Sequence, residues 1–284
     1  MTSTGGSLVS VIVPTRNSAR TLEPCLQSIR SQLYHRVELI VVDNHSTDQS
    51  LELARRYGDV IDVAGPERSA QRNRGAWLAH GDYFLFVDSD MTLAPRVVGD
   101  CLDAIRASGA PGVIIPEISS GDGFWARARS LERSCYVGDD TIEAARFFPR
   151  VEFEKSGGYD ESLVAMEDWD LSMRIASGWR LPRTVGEIVH DEGKLRLRDA
   201  LAKKRYYAAS SQHYWHKHGR ATLGQANLVF RPAFLRSWRR LLGHPILTAG
   251  FLSLKTLEAT AVVWGVLEAR SRTRSVPEAG PLRR

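Results

Sequence analysis

The chain has little of what would mark it as secreted, disulfide-bonded or zinc-bound. It holds three cysteines, Cys25, Cys101 and Cys135, far apart and without a Cys-x-x-Cys pair. An odd, scattered set excludes a disulfide framework and a cysteine zinc site, and it fits a reducing compartment. Residues 1–7 are polar, with no basic segment leading into an apolar one, so no secretory leader is expected. A Gly-x-Gly-x-x-Gly loop is missing after the first apolar run, where the chain reads Pro14-Thr-Arg-Asn-Ser18. That absence removes dinucleotide-binding dehydrogenases and counts against sugar-phosphate nucleotidyltransferases, whose corresponding loop is glycine-rich. Long apolar runs are scarce too. The longest, Pro245 to Glu268, is interrupted by Lys255 and Glu258.

What is present is ordinary globular material: 284 residues, 43% hydrophobic and 25% charged, enough for a sizeable core. Charge is unevenly placed. Residues 1–193 carry 20 Lys/Arg against 29 Asp/Glu, whereas residues 194–240 carry 12 against Asp199 alone. A basic stretch that concentrated asks for an anionic partner, a phospholipid surface or nucleic acid, unless it is simply a solvated helix face.

The first hundred residues alternate between two periods. Short apolar runs at 8–13, 37–42, 60–63 and 83–87 read as buried strands. Helical spacing over 21–32 (Leu22, Cys25, Leu26, Ile29), 51–57 and 67–80 separates them, the last with Gly81 as its expected cap. Alternation of this kind predicts an α/β fold with a mostly parallel twisted sheet flanked by helices. Further on, 113–115 reads as a strand, while 124–136 and 166–175 read as helices. Beyond Gly193 the chain turns basic, aromatic and helical.

In such sheets ligands lie beyond the carboxyl ends of the strands. Three strands end in chemistry there: Pro14-Thr-Arg-Asn17, Asp43-Asn44 and Asp88-Ser-Asp90. Two carboxylates two residues apart after a buried strand suit one Mg²⁺ or Mn²⁺ that also takes substrate phosphates. Asp43 can accept from a base N–H, and Arg72 can offer a guanidinium fork to a diphosphate. Met166-Glu-Asp-Trp-Asp170 opens a helix, where acidic residues also serve the helix dipole.

Taken together, 9–17 (VSVIVPTRN), 39–48 (LIVVDNHSTD), 70–75 (AQRNRG), 81–90 (GDYFLFVDSD), 157–161 (GGYDE) and Glu167-Asp168 resemble the family 2 glycosyltransferases, over roughly residues 8–193. The resemblance implies a GT-A fold and inverting transfer from a nucleotide-diphospho-sugar to an acceptor hydroxyl, possibly lipid-linked. It implies nucleotide contacts from Pro14, Thr15, Asn17, Asp43, Arg72 and Ser89. Asp88 and Asp90 would hold the Mn²⁺ or Mg²⁺, joined by His190, since enzymes of this fold often carry a histidine there. Asp168 would be the general base, with Glu167 orienting acceptor or helix. Asn44 departs from the pattern, which often has a second Asp at that position. The processive members' Gln-x-x-Arg-Trp motif is absent from Arg174-Ile-Ala-Ser-Gly-Trp-Arg180, so single-sugar transfer is expected.

The expected organisation is a catalytic domain over 1–193 (nucleotide half 8–100, acceptor half 101–193), a helical extension over 194–270 and a flexible tail over 271–284. The pair Lys255 and Glu258 disfavours a clean membrane span, because each charge costs about 2.5–3.5 kcal/mol at a span's centre. An interfacial helix against an anionic membrane through 194–267 fits better, at the cytoplasmic face of the cell membrane. His213, His216 and His218 read as part of the basic surface. Nucleic-acid binding through 194–240 is the competing reading, but it leaves Asp88-Ser-Asp90 and Glu167-Asp168 unexplained.

Overall fold

A computed structural model describes residues 6–219 and 231–274, and in it the alternating apolar runs become a six-stranded sheet in the order β3-β2-β1-β4-β8-β6. Strands β1 (Val9–Thr15), β2 (Val37–Asp43), β3 (Val60–Val63) and β4 (Tyr83–Phe86) are parallel. Strand β8 (Ala145–Pro149) runs antiparallel between β4 and β6 (Val113–Ile114), which makes the sheet mixed. A second sheet, β5-β9-β7, joins Met91–Leu93, Ile188–Lys194 and Glu117–Asp122.

Alternate residues of each strand enter opposite cores, as the pleat requires. Val9, Val11, Val13, Leu39, Val41, Leu85 and Phe147 meet α1 (Ala19–Arg30), α2 (Ser50–Tyr57) and α4 (Val97–Ser108). Ile12, Ile40, Val42, Phe84, Phe86 and Phe148 meet α3 (Arg68–Leu78), α6 (Arg150–Lys155) and α7 (Glu167–Ala176). Gly75 lets α3 lie directly on the sheet, since a Cβ there would stand 2.4 Å from Ile12 Cγ2.

Gly81 does not cap α3. The helix ends at Leu78 with Ala79 as its cap, and Gly81 sits where β4 approaches β1, its N–H donating to Ser10 Oγ at 2.9 Å. A Cβ at Gly81 would come within 2.7 Å of the Ser10 backbone nitrogen, so the glycine answers to strand packing.

The C-terminal helices form a third layer. α5 (Gly123–Ser134) packs on α11 (Pro245–Arg274), which packs on α8 (Leu197–His218); α9 (Pro232–Arg236) and α10 (Trp238–Gly243) lie between α8 and α11 in sequence. The first four residues of the expected tail, 271–274, belong to α11, and 275–284 lie outside the described residues. Lys255 and Glu258 are buried and pair at 3.1 Å, as their i,i+3 spacing allows. Lys255 also pairs with Glu132 of α5, and Glu258 with Arg129. Both interruptions of the apolar run therefore face the protein, in an ion network that bonds α11 to α5.

Burial alone would raise the Glu258 carboxyl, but Lys204, Lys255 and Arg129 outweigh it and bring it down to about 2. A folded value below the unfolded one, about 4.3, gives stability that is complete above the unfolded value and fades as pH falls toward 2. Glu258→Gln is expected to lower unfolding stability by about 3 kcal/mol at pH 7 and by less than about half of that at pH 3. Urea unfolding at the two pH values measures it, and an equal loss at both would refute the assignment.

Candidate active site

The carboxyl ends of β1 and β2 lie side by side, with Thr15 in register with Asp43. The loops that follow are laced together. Asn44 N–H donates to Thr15 O (2.8 Å), Asn17 N–H to Ser46 Oγ (2.8 Å) and Thr47 N–H to Asn17 Oδ1 (2.8 Å). Asn17 takes a left-handed backbone, φ 49°, which asparagine tolerates better than most residues. Pro14, Thr15, Asn17 and Asp43 thus share one rim, as the sequence suggested. Asp43, however, is fully buried, and both its oxygens accept from Ser46, one from the backbone N–H and one from the hydroxyl. Its visible work is to fix the turn that carries Asn44 and Ser46. The Thr15 hydroxyl is buried with no hydrogen-bond partner among the described residues. Ser89 donates its hydroxyl to Ser18 at 2.9 Å, which ties the end of β4 to the loop after β1.

Arg72 departs most from expectation. The sequence offered it as a fork for a diphosphate, yet it is fully buried and its fork is taken by protein. One terminal nitrogen donates to Asp88 Oδ1 at 2.6 Å; the other donates to Glu167 Oε1 and Asp168 Oδ1, both at 3.0 Å. The guanidinium also lies 5.0 Å from the centre of the Tyr159 ring. A second buried arginine, Arg146 of β8, approaches Asp88 (3.5 Å) and Asp168 (3.9 Å) while its Nε donates to Glu117 at 2.5 Å. Arg68 reaches Glu167 at 3.3 Å. Burial would raise the Asp88 carboxyl, but the charges of Arg72, Arg146 and Arg68 hold it well below the usual carboxylate range. Glu167, by contrast, is pushed up by burial and by its neighbour Asp168.

Asp88 and Asp90 therefore do not share partners. Strand β9 pairs with β5 immediately after the Asp-Ser-Asp turn, with Met91 opposite His190, and this sets His190 Nε2 3.0 Å from Asp90 Oδ2. The other ring nitrogen lies 2.7 Å from Arg133 Nη1 of α5. Burial works against the charged form of Asp90, but the hydrogen bond and charge of His190 prevail and lower its carboxyl. Among the described residues no three His, Cys, Asp or Glu side chains converge as a metal cage. The Asp90 carboxylate nonetheless fits Mn²⁺ or Mg²⁺, ions that prefer oxygen and complete their shells with substrate phosphates and water, and an imidazole beside it suits Mn²⁺ better than Mg²⁺. The two carboxylates assigned to one cation thus have different partners: Asp90 pairs with His190, and Asp88 belongs to the arginine cluster.

Asp168 stands in the first turn of α7 with its carboxylate partly open to solvent, whereas Glu167 is enclosed. Asp170 is no ordinary first-turn acid. It is fully buried and paired with Arg174 (2.7 Å), Lys217 (2.8 Å) and His218 (2.7 Å). That contact removes His218 from the basic surface and straps the end of α8 across α7. Other cations of 194–240 are also engaged: Arg205 with Glu268, and Arg236 with Asp139 at 2.7 Å. Phe230 and the rest of 220–230 lie outside the described residues. Sequence reasoning did not single out Arg68, Arg133 or Arg146, which sit in no pattern that signals chemistry and which only the fold brings into place. Tyr159 lay within the GGYDE motif but was given no role, and the fold sets its ring against Arg72.

The family model "Glycosyl transferase family 2" matches residues 10–179, well over half the chain. The chain belongs to that family. A family 2 relative in Escherichia coli K12, the uncharacterized glycosyltransferase YibD, is 33% identical over 31% of this chain and 28% of its own length. The pre-mycofactocin glycosyltransferase of Mycobacterium tuberculosis is 28% identical over 81% of this chain and 52% of its own. This family 2 chain therefore spans about a quarter to a half of the length of those two relatives. Among solved structures, the mannosyltransferase PcManGT from Pyrobaculum calidifontis, in complex with GDP-Man and Mn²⁺, matches with a TM-score of 0.60 and 21% identity, over 98% of this chain and 77% of its own. Glucosyl-3-phosphoglycerate synthase from M. tuberculosis, in complex with Mg²⁺ and UDP, matches at 0.52 and 19% identity, over 73% and 79%. Both likenesses establish the GT-A glycosyltransferase fold.

Proposed function

We propose that this chain moves one sugar from a nucleotide-diphospho-sugar to an acceptor hydroxyl, with inversion, in the crevice beyond β1, β2 and β4. The observation that carries the reading is the adjacency of the Asp90–His190 pair to Arg72's three carboxylates, on strand ends that family 2 membership associates with donor binding. Solved structures of the same fold hold GDP-Man with Mn²⁺ and UDP with Mg²⁺, which supports a nucleotide donor and a divalent cation.

In this reading the loops bearing Pro14, Thr15, Asn17 and Ser89 receive the nucleoside, with the unpartnered Thr15 hydroxyl available to it. Asp90, with His190 beside it, would hold Mn²⁺ or Mg²⁺, which when bound would supply neutralisation of charge on the departing diphosphate. Asp168 takes the proton of the acceptor hydroxyl as that oxygen attacks the anomeric carbon. A general base must stand within hydrogen-bond reach of the proton it removes, and a partly open carboxylate at a helix start meets that demand. Arg72 fixes Asp168 and Asp88 in place and does not itself touch substrate. Asp168→Asn is expected to lower kcat by about 10²–10⁴-fold while calorimetric affinity for the donor nucleotide holds. An unchanged rate would sink the base assignment.

The acceptor is lipid-linked or a cell-surface polysaccharide precursor, and the enzyme works at the cytoplasmic face of the cell membrane. Support comes from the C-terminal layer, where Leu235, Trp238, Leu242, Ile246, Val263 and Trp264 are exposed together with arginines 239 and 240. An apolar groove of about 500 Å³ between α5 and α11, walled by Phe124, Trp125, Ile246 and Gly250, adds a hydrocarbon-sized trough. Since Lys255 and Glu258 are spent on α5, the outward side of α11 is free to lie in an interface. Ile246→Ser with Trp264→Ser is expected to weaken binding to phosphatidylglycerol-containing vesicles about tenfold in flotation assays. Equal flotation of wild type and variant would remove the membrane reading.

A further inference from the structure

A second cavity, of about 390 Å³, opens on the flank of α7, between the 138–143 loop and the turn that ends the helix. Its floor is apolar, from Met173, Ala176 and Leu181. Trp179 stands at its edge, 53% exposed, and is not there by looseness. Ser177 (φ 38°) and Gly178 (φ 94°) take successive left-handed conformations, and Trp179 N–H donates back to Ala176 O at 2.7 Å. A left-handed serine costs energy, and the turn it makes turns an indole toward solvent.

Polar groups at this cavity come in opposite pairs. Asp140 lies 3.3 Å from Arg180 and 2.6 Å from Arg183; Glu143 Oε2 accepts from Arg183 Nε at 2.7 Å and from Gly138 N–H at 2.9 Å. Two acids against two arginines leave the rim without net charge, so neither an anion nor a cation is favoured. Glu143 Oε1 is buried with no hydrogen-bond partner among the described residues. A buried acceptor left unpaired is costly and calls for an O–H or N–H donor. An indole face, an apolar floor, planar ionised groups and one open acceptor describe what a sugar ring needs: a C–H face to stack and hydroxyls to donate. The volume falls within the range of about 300–1,000 Å³ usual for small-ligand sites.

We propose that this cavity binds a neutral sugar unit, and that the acceptor is itself a glycan-bearing molecule. Ser172 and Ala176 line it, four and eight residues after Asp168, which is about 6–12 Å along the helix axis. A saccharide held there lies one or two helical turns from the base, near enough for a neighbouring residue of the same glycan to present its hydroxyl. The acceptor half of this inference rests on the transferase reading above; the binding half does not.

Saturation-transfer NMR on the full chain, with cellobiose, α-1,6-mannobiose and N,N′-diacetylchitobiose as probes, tests it alongside calorimetry with UDP and GDP. At least one disaccharide is expected to bind. Trp179→Ala is expected to weaken that binding by about tenfold or more. Glu143→Gln, which keeps the shape of the site, is expected to weaken it less, and nucleotide binding is unchanged in both. No transfer to any of the three, or a signal that survives Trp179→Ala, overturns the proposal even if nucleotide binds. Trp179-dependent disaccharide binding by a chain that binds no nucleotide would keep the saccharide site and overturn its placement in a transferase.

Discussion

A guanidinium cannot shed its proton inside a protein, so a fully buried arginine dictates what surrounds it. Arg72 is such a residue, and its partners are three carboxylates that the fold brings from two distant parts of the chain. Asp88 arrives from the end of β4, and Glu167 and Asp168 arrive from the first turn of α7, some eighty residues later. Single charges buried alone would be prohibitive; buried together, with Arg146 and Arg68 at the margins, their charges compensate one another, although Arg72 Nε and Arg146 Nη1 have no hydrogen-bond partner among the described residues. The two halves of the catalytic region meet through this cluster. It also explains the glycine three residues on, because Gly75 lets α3 sit low enough on β1 for Arg72 to reach under the strand ends.

The Asp90–His190 pair is organised independently. Strand β9 is needed to bring His190 to Asp90, and Arg133 of α5 closes on the far side of the imidazole. The same helix offers Arg129, one turn earlier, to Glu258 of α11, and Glu132, the residue next to Arg133, to Lys255. α5 thus touches His190 with one residue and secures the C-terminal layer with others.

Much of this was legible in the sequence, for identifiable reasons. Strands β1 to β4 are short apolar runs broken by glycine, proline or acid, and their ends carry the motifs. Helix α4 was not read from the sequence, although Val97, Cys101 and Ile105 repeat at four-residue spacing and Gly109 ends it in a left-handed turn. Strand β8 was not legible. Ala145-Arg-Phe-Phe-Pro149 breaks the apolar run with an arginine whose burial makes sense only once Asp88 and Glu117 are beside it. The basic stretch after 194 misled in the opposite way. Its charge count is real, but Lys217, His218, Arg205 and Arg236 find partners elsewhere in the described chain, which no count along the sequence can reveal.

If the site is built around the Arg72 guanidinium, removing its charge without removing its bulk must leave three carboxylates crowded and poorly compensated. Equilibrium urea unfolding of Arg72→Met at pH 7 measures this directly. The expected result is a loss of about 3–5 kcal/mol, the usual consequence of taking one partner from a buried ion cluster. A loss below about 1 kcal/mol, the scale of an exposed ion pair, would contradict the account. Arg146 and Arg68 would then suffice to hold the carboxylates, and Arg72 would be free for a ligand.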